Sequence, residues 1–193
     1  MTHQDKHNLL TMKDIVKEGD PILRTVTDNV AIPPSDEDKQ ILNKMMQFIK
    51  NSQDETMAKK YQLRPGVGLS ANQLGFNKRM FAAYLTDEKE QLHEYAWINP
   101  KIISHSVQMT YMPYGEGCLS VDRQVPGYVP RYDRIKVRAY DIEGQEVTVK
   151  LKGHVAIVVQ HEIDHLNGIM FYDHINQDNP FELPDDVAIK SLY

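Results

Sequence analysis

Alternating hydrophobic and polar residues predict β-strands over much of the middle of the chain. Arg134 to Tyr140 and Glu146 to Leu151 alternate clearly, and Glu143-Gly144 between them is typical of a hairpin turn. Charged residues fill 86–94, which predicts a surface hairpin loop. The other predicted strands are residues 79–85, 96–103 and 106–111, with Asn99-Pro100 as a break in the ladder. We therefore expect an antiparallel sheet.

A longer period, near 3.6 residues, predicts a helix that begins at Ser35. Ser35 and Asp38 have the spacing of a capping box, in which each side chain satisfies a free backbone amide of the first turn. The polarity rises between Asn51 and Lys60, and we expect the helix to fray there. Its apolar face consists of Ile41, Leu42, Met45, Phe48 and Ile49.

A second helix is predicted from about His154 to Asn167, because Gly153 precedes this stretch and Gly168 follows it as a C-terminal cap. Apolar residues occupy nearly all sides of this helix, so it should be buried in the middle of the domain. The remainder, Ile169 to Tyr193, has one short apolar segment followed by a polar, proline-containing tail. The expected fold class is α+β, with antiparallel sheets packed around a central buried helix.

Composition narrows the class of protein. The 193 residues, 41% of them hydrophobic, suit one well-cored domain spanning 1–193, with residues 1–10 as a flexible arm in which His3 and His7 are inert. A net charge of -5 without a basic run predicts no nucleic-acid partner. No apolar run is long enough for a membrane span or a signal region, so we expect a cytoplasmic protein.

The central helix carries the candidate chemistry. His161 and His165 are four positions apart, so in a helix both imidazoles face one ion. Glu162 points to the side of that face, where it can reach a water on the ion. This pattern is typical of hydrolytic metal sites, although a helix can also carry two histidines by chance.

A catalytic metal needs a third protein ligand. The common metallopeptidase pattern fails here, because Phe171 stands where the third histidine would be. Glu182 and His174 remain formal alternatives, but the single cysteine, Cys118, is the better candidate because thiolate binds zinc or ferrous iron strongly. The alternative is that Cys118 is an ordinary buried residue.

Residues 64–75 form a glycine-rich loop that ends near Gln73. The loop lacks the Gly-Lys-Ser/Thr ending of a phosphate-binding loop and does not match the dinucleotide fingerprint. We therefore do not expect this loop to bind a nucleotide. Gln73 offers an amide donor at the end of this loop, or is an ordinary polar loop residue.

Three motifs together resemble those of the peptide deformylase family, in its longer form typical of Gram-positive bacteria. They are GVGLSANQ at residues 66–73, EGCLS at 116–120 and QHEIDH at 160–165, in the order and roughly the spacing of the family. The similarity extends from Met12 to about Tyr172. Ser70 stands where many members have alanine, a small-for-small change. The resemblance implies the deformylase fold, with HExxH on the central helix.

The resemblance also implies roles for these residues. Cys118, His161 and His165 would hold Fe²⁺, with Zn, Ni or Co able to substitute. Glu162 would accept the proton of a water whose pKa a metal lowers toward about 7, and then deliver it to the departing amine. The Gln73 side chain and the Leu119 backbone amide would donate to the oxyanion.

By the same resemblance, substrate would lie along the glycine-rich loop. Val67 would offer main-chain hydrogen bonds, with Gly68 beside it, as an added strand would require. Ile157 and Val158 would line a pocket for a methionine side chain, although both could be plain core. An ion pair between Glu116 and Arg131 would fix the Cys118 loop, unless these are unrelated surface charges.

The expected function is metal-dependent removal of the formyl group from N-formylmethionyl nascent peptides, with release of formate. We expect a monomer that acts at the ribosome. Two alternatives remain from the residues: another metallohydrolase such as a peptidase, which lacks its downstream ligand here, and a structural or inactive metal protein. Neither structural role requires Glu162 or Gln73.

Overall fold

The computed structural model describes residues 9–193. The flexible arm predicted for residues 1–10, with His3 and His7, therefore lies outside the described residues except at its end. There Leu10 packs against the hydrophobic core, so the predicted arm extends too far at that point.

The described residues form three α-helices and eight strands, joined by loops and short 3-10 turns. The helices are α1 (Asp36–Gln53), α2 (Glu55–Tyr61) and α3 (Gly153–Leu166). The strands are β1 (Gly68–Ser70), β2 (Met80–Thr86), β3 (Leu92–His105), β4 (Met109–Tyr111), β5 (Arg131–Tyr132), β6 (Arg134–Tyr140), β7 (Glu146–Lys152) and β8 (Ile189–Ser191). The class is α+β, as predicted.

The larger sheet has five strands in the order β1-β2-β3-β6-β7, and every neighbouring pair is antiparallel. The β6–β7 hairpin confirms the alternation predicted for that stretch. The predicted break in the ladder at Asn99-Pro100 is present as a bulge between Ile98 and Lys101, where the register of β3 against β6 shifts, although β3 itself continues. Asn99 has a φ of 50°, and its side chain bonds both backbone groups of Val30, which stabilises the irregular backbone.

The smaller sheet has three strands in the order β5-β4-β8, and β8 runs parallel to β4. The prediction of purely antiparallel sheets is therefore wrong at this edge. The C-terminal segment is also more structured than the predicted polar tail, because it returns to pair with β4 and supplies Ile175 to a buried cluster with Phe171. A parallel pairing between distant segments leaves no local signal in the sequence.

The capping box predicted for α1 is present, since Ser35 Oγ accepts the Asp38 amide and Asp38 Oδ2 accepts the Ser35 amide. The predicted apolar face is buried in the core cluster. The frayed end predicted for residues 51–60 is wrong: Asp54 ends α1 and caps a second short helix, α2.

Helix α3 matches the predicted bounds to within about one residue. Its first residue, Gly153, and Gly168 just beyond its end have φ values of 59° and 72°, which favour glycine. The helix packs against the larger sheet through Val155, Ala156, Val158, Val159, Ile163 and Leu166. Within residues 9–193, no helix has the length and apolar character needed to cross a membrane.

Candidate metal centre

Helix α3 and the loop before β5 bring three metal-ligating side chains together. His161 and His165 lie one turn apart, and their Nε2 atoms are 3.2 Å from each other. Cys118 Sγ is 3.3 Å from His165 Nε2. One donor atom from each of these buried residues lies within 4.8 Å of the others. The three residues predicted as metal ligands, Cys118, His161 and His165, therefore lie close together in the structure.

The arrangement fits a tetrahedral metal. Two imidazole nitrogens bound at about 2.0–2.1 Å to one tetrahedral ion stand about 3.3 Å apart, close to the distance seen here. A thiolate with two imidazoles suits zinc or ferrous iron. His174, a formal alternative ligand, instead bonds Asp164 through Nε2 at 2.7 Å, and lies outside the cluster.

A buried ionic network orients His161. Arg131 is 3% exposed and donates two hydrogen bonds of 2.9 Å to Glu116, so the predicted ion pair is present. Glu116 Oε1 in turn lies 2.9 Å from His161 Nδ1, which directs Nε2 toward Cys118. Burial would raise the pKa of Glu116, but the Arg131 charge and the His161 hydrogen bond lower it to about 2. Glu116 is therefore an anion that supports the histidine.

The pKa values of the two histidines are shifted in opposite directions. Burial lowers the pKa of both, but hydrogen bonds to Cys118 and Glu116 raise the pKa of His161 well above its usual value. The pKa of His165 falls well below its usual value, because burial and then the charge of His161 both oppose a proton there. Of the two imidazoles, His165 therefore has the lower proton affinity.

Glu162 is the acid beside this cluster. Its side chain is almost fully buried, and its Oε2 accepts a hydrogen bond of 3.1 Å from Ser70 Oγ. Burial raises the pKa of Glu162 to about 7, although the His161 charge and the Ser70 hydrogen bond act against this rise. A carboxyl with a pKa near neutrality can both take up and release a proton.

Gln73 presents an amide donor to the same space. Its Oε1 accepts hydrogen bonds of 3.0 Å from both the amide and the hydroxyl of Ser70. Its Nε2 therefore faces Cys118 Sγ at 3.5 Å and Ser120 Oγ at 3.0 Å. The backbone N–H of Leu119 has no acceptor among residues 9–193. Two N–H donors thus lie beside the thiol, of which the Leu119 N–H is the one without an acceptor among the described residues.

A cleft of about 330 Å³ opens onto this cluster. Val67, Gly68, Ile157 and Val158, predicted to bind substrate, all line it, as do Gln73, Cys118, Leu119, His161 and Glu162. The sequence reasoning missed His154, which also lines the cleft. The helical spacing of the sequence indicates this position. His154 lies one turn before Val158 and on the same helix face as His161.

Val67, predicted to offer main-chain hydrogen bonds to a peptide, already uses its carbonyl within the protein. This carbonyl accepts the Tyr84 amide at 2.8 Å. The Val67 N–H has no acceptor among the described residues. Just beyond it, β1 is an edge strand of the larger sheet, and its outer side can pair with an extended chain.

The buried thiol and two imidazoles could hold a metal ion, and the buried Glu162 carboxyl lies beside them. This combination of side chains is typical of metal-dependent hydrolases. Comparison with known proteins identifies the family. The polypeptide deformylase family model matches residues 12–180, and the chain belongs to this family. Its members are metal-dependent enzymes that remove the N-formyl group from nascent peptides, so the family expectation from the three motifs is confirmed.

Individual relatives agree with this assignment. The chain is 61% identical to peptide deformylase 2 of Bacillus cereus over an alignment of 178 residues. This alignment covers 92% of this chain and 97% of the relative. It is 53% identical over 183 residues to peptide deformylase 2 of Bacillus subtilis, and this alignment covers 94% of this chain and 100% of the relative. The crystal structure of peptide deformylase from Thermus thermophilus superimposes with a TM-score of 0.69 at 31% identity, covering 86% of both chains.

Proposed function

We propose that the Cys118, His161 and His165 cluster, with Glu162 beside it, is the catalytic centre that hydrolyses the formamide of N-formylmethionyl peptides. Water adds to the formyl carbon, the C–N bond breaks, and formate and a free amine are released. The observation that carries this proposal is the convergence of three buried donor atoms within 4.8 Å, next to a carboxyl whose pKa is about 7.

The three ligands would hold Fe²⁺, with Zn, Ni or Co able to substitute. The donor set supports this, since thiolate and imidazole bind all of these ions. When bound, the metal supplies a Lewis acid that lowers the pKa of water and polarises the formyl oxygen. The ionised Glu116 behind His161 keeps that imidazole oriented toward the ligand position.

Glu162 would carry the proton. Its carboxylate takes a proton from the attacking water and later delivers it to the amine as the C–N bond breaks. Burial supports this role because it raises the pKa of Glu162 to about 7, so neither protonation state is strongly favoured at neutral pH.

Gln73 and Leu119 would stabilise the oxyanion that forms on the formyl oxygen. The Gln73 amide is held by Ser70, so its Nε2 faces the thiol side of the cleft. The Leu119 N–H has no acceptor among residues 9–193 and is free to donate. Each such donor contributes roughly a hundred- to a thousandfold in rate.

Substrate would lie along β1 as an added strand. The Val67 N–H and the Gly68 backbone supply the free edge, and Gly68 lets the peptide chain approach closely. Ile157 and Val158, one turn before His161, form the apolar wall for the methionine side chain. The enzyme would act as a monomeric single domain in the cytoplasm, on peptides that emerge from the ribosome.

One experiment tests the centre. The protein is purified anaerobically, its metal content is measured, and formate release from formyl-Met-Ala-Ser is followed for wild type, Glu162→Ala, Cys118→Ala and Glu182→Ala. We expect Glu162→Ala to keep its metal and lose roughly a hundred- to ten-thousandfold in rate. Cys118→Ala should lose the metal.

The matched control is Glu182→Ala, because Glu182 is an exposed acid outside the cluster. It should retain both metal and activity. Equal rates for Glu162→Ala and wild type would contradict the proton-carrier role, and unchanged metal affinity in Cys118→Ala would contradict the ligand assignment. Cleavage of internal amides without formate release would instead support a peptidase.

A further inference from the structure

The carboxyl of Glu162 is held from one side by strand β1. Gly68 and Ser70 are two positions apart in this strand, so they share one face of it. Gly68 leaves room for the carboxyl, since a Cβ on Gly68 would lie 2.5 Å from Glu162 Oε1. Ser70 Oγ bonds the other oxygen, Oε2, at 3.1 Å. Strand β1 therefore contacts both oxygens of the carboxyl: Oε1 lies in the space left by Gly68, and Oε2 accepts the hydrogen bond from Ser70.

Ser70 is the only hydrogen-bond partner of the Glu162 carboxyl among residues 9–193. Both side chains are buried, Ser70 at 0% and Glu162 at 3% exposure, so bulk water does not compete for this contact. A buried carboxyl with one partner has its orientation determined by that partner.

The Ser70 hydroxyl also lies 3.0 Å from Gln73 Oε1, but Gln73 does not depend on it. The same oxygen accepts the Ser70 backbone amide at 3.0 Å, a bond that any residue at this position would keep. A hydroxyl has a single proton, and an ionised carboxylate is a stronger acceptor than an amide oxygen. The hydroxyl therefore acts mainly on Glu162.

We propose that Ser70 is a positioning residue for the deformylation reaction, whose hydroxyl holds the Glu162 carboxyl in the orientation that takes the proton from water and returns it to the amine. This inference rests on the proposed role of Glu162. The hydroxyl can donate to Glu162 while it is ionised and accept from it once it carries the proton, so the contact persists through the reaction.

Ser70 is not among the residues that line the cleft, so we do not expect it to contact a bound peptide. Its loss should therefore reduce kcat and leave KM nearly unchanged. The loss of one hydrogen bond to a charged group corresponds to about a tenfold decrease in kcat. A general loosening of the fold would change KM, metal content and thermal stability together.

The test uses metal-loaded Ser70→Ala, Ser70→Thr and Thr110→Val, with kcat and KM for formate release from formyl-Met-Ala-Ser. Thr110 is a buried hydroxyl residue in β4 that makes no hydrogen bond to Glu162, and it serves as the control. We expect about a tenfold lower kcat for Ser70→Ala, recovery in Ser70→Thr, which keeps the hydroxyl, and unchanged kinetics in Thr110→Val.

A double-mutant cycle gives a second readout, which does not require the threonine variant to fold. If Ser70 acts through Glu162, adding Ser70→Ala to Glu162→Ala should cause no further loss in kcat. A kcat in Ser70→Ala equal to that of wild type, or fully additive losses in the double variant, would overturn the inference. Absence of formate release by wild type itself would instead overturn the proposed function, so the two failures are distinguishable.

Discussion

Arg131 shows how one side chain supports the centre without contacting substrate. It is 3% exposed and bonds both Glu116 and Asp164, of which Glu116 orients His161. Desolvation opposes its charge, but these two carboxylates raise the pKa of Arg131. Without Arg131, the Glu116 carboxylate would be buried beside His161 with no arginine to balance its charge.

We therefore predict that Arg131→Met lowers the free energy of unfolding by about 3–5 kcal/mol, because it leaves Glu116 as an unpaired buried charge. Urea unfolding monitored by circular dichroism measures the change. Arg138→Met is the matched control, since Arg138 pairs with Glu146 at the surface at 3.6 Å. That control should lose at most about 1 kcal/mol, and an equal loss in both variants would contradict the prediction.

Gly68 has a steric role that follows from its position opposite Glu162. A methyl group there would lie 2.5 Å from Oε1 and 2.8 Å from the carboxyl carbon, so the acid must move. We predict that Gly68→Ala retains its metal and loses at least about tenfold in kcat/KM, because a small displacement of a proton carrier is costly. Formate release and metal content are measured together. Wild-type activity in this variant would show that the carboxyl has room to shift.

At the scale of elements, local signals located α1, α3 and most strands. The capping box at Ser35 and Asp38 and the apolar stripe behind it act within a few residues, so α1 was predictable. The division between α1 and α2 was not predicted, although the Asp54 cap that begins α2 is a local contact. The pairing of β8 with β4 and the hydrogen bonds of Asn99 to Val30 were not predicted either, because the partners are distant in the chain.

The capping box of α1 should also make stability depend on pH. Burial would raise the pKa of Asp38, but hydrogen bonds from Lys78 and Ser35 outweigh it and hold the pKa below its usual value. A carboxyl with a lowered folded-state pKa stabilises the fold above its unfolded pKa of about 3.9, and this contribution is lost as the pH falls through the folded-state pKa.

We predict that Asp38→Asn lowers the free energy of unfolding by about 1.5–3 kcal/mol at pH 7, because it removes a hydrogen-bonded charge from a buried position. The difference from wild type should shrink as the pH falls below about 4. Urea unfolding at pH 7 and at pH 3 measures both values. A difference that is the same at the two pH values would contradict the role of the carboxylate.

At the scale of the whole molecule, the metal centre joins parts that are far apart in sequence. Cys118 comes from the loop before β5, whereas His161 and His165 come from α3 near the end of the chain. A metal that binds these three residues binds only the folded chain, because unfolding separates them. Metal binding and folding are therefore coupled.

We predict that removing the metal with a chelator lowers the melting temperature by about 5–10 °C, because a ligand at 100 times its Kd stabilises the folded state by about 2.7 kcal/mol. Thermal unfolding before and after chelation measures the shift. The Cys118→Ala variant is the control and should show almost no shift. A similar shift in that variant would indicate that the metal binds elsewhere.

The sequence by itself determined the periodic elements, the His161–Glu162–His165 geometry on one helix and the family, because these depend on short-range spacing. Only the tertiary structure decided that Cys118 Sγ meets the two imidazoles, that β8 runs parallel to β4, and that the Ser70 hydroxyl meets Glu162. Ser70 and Glu162 are 92 positions apart, and no local pattern records such a contact. Their meeting depends on how β1 and α3 pack, which the whole chain determines.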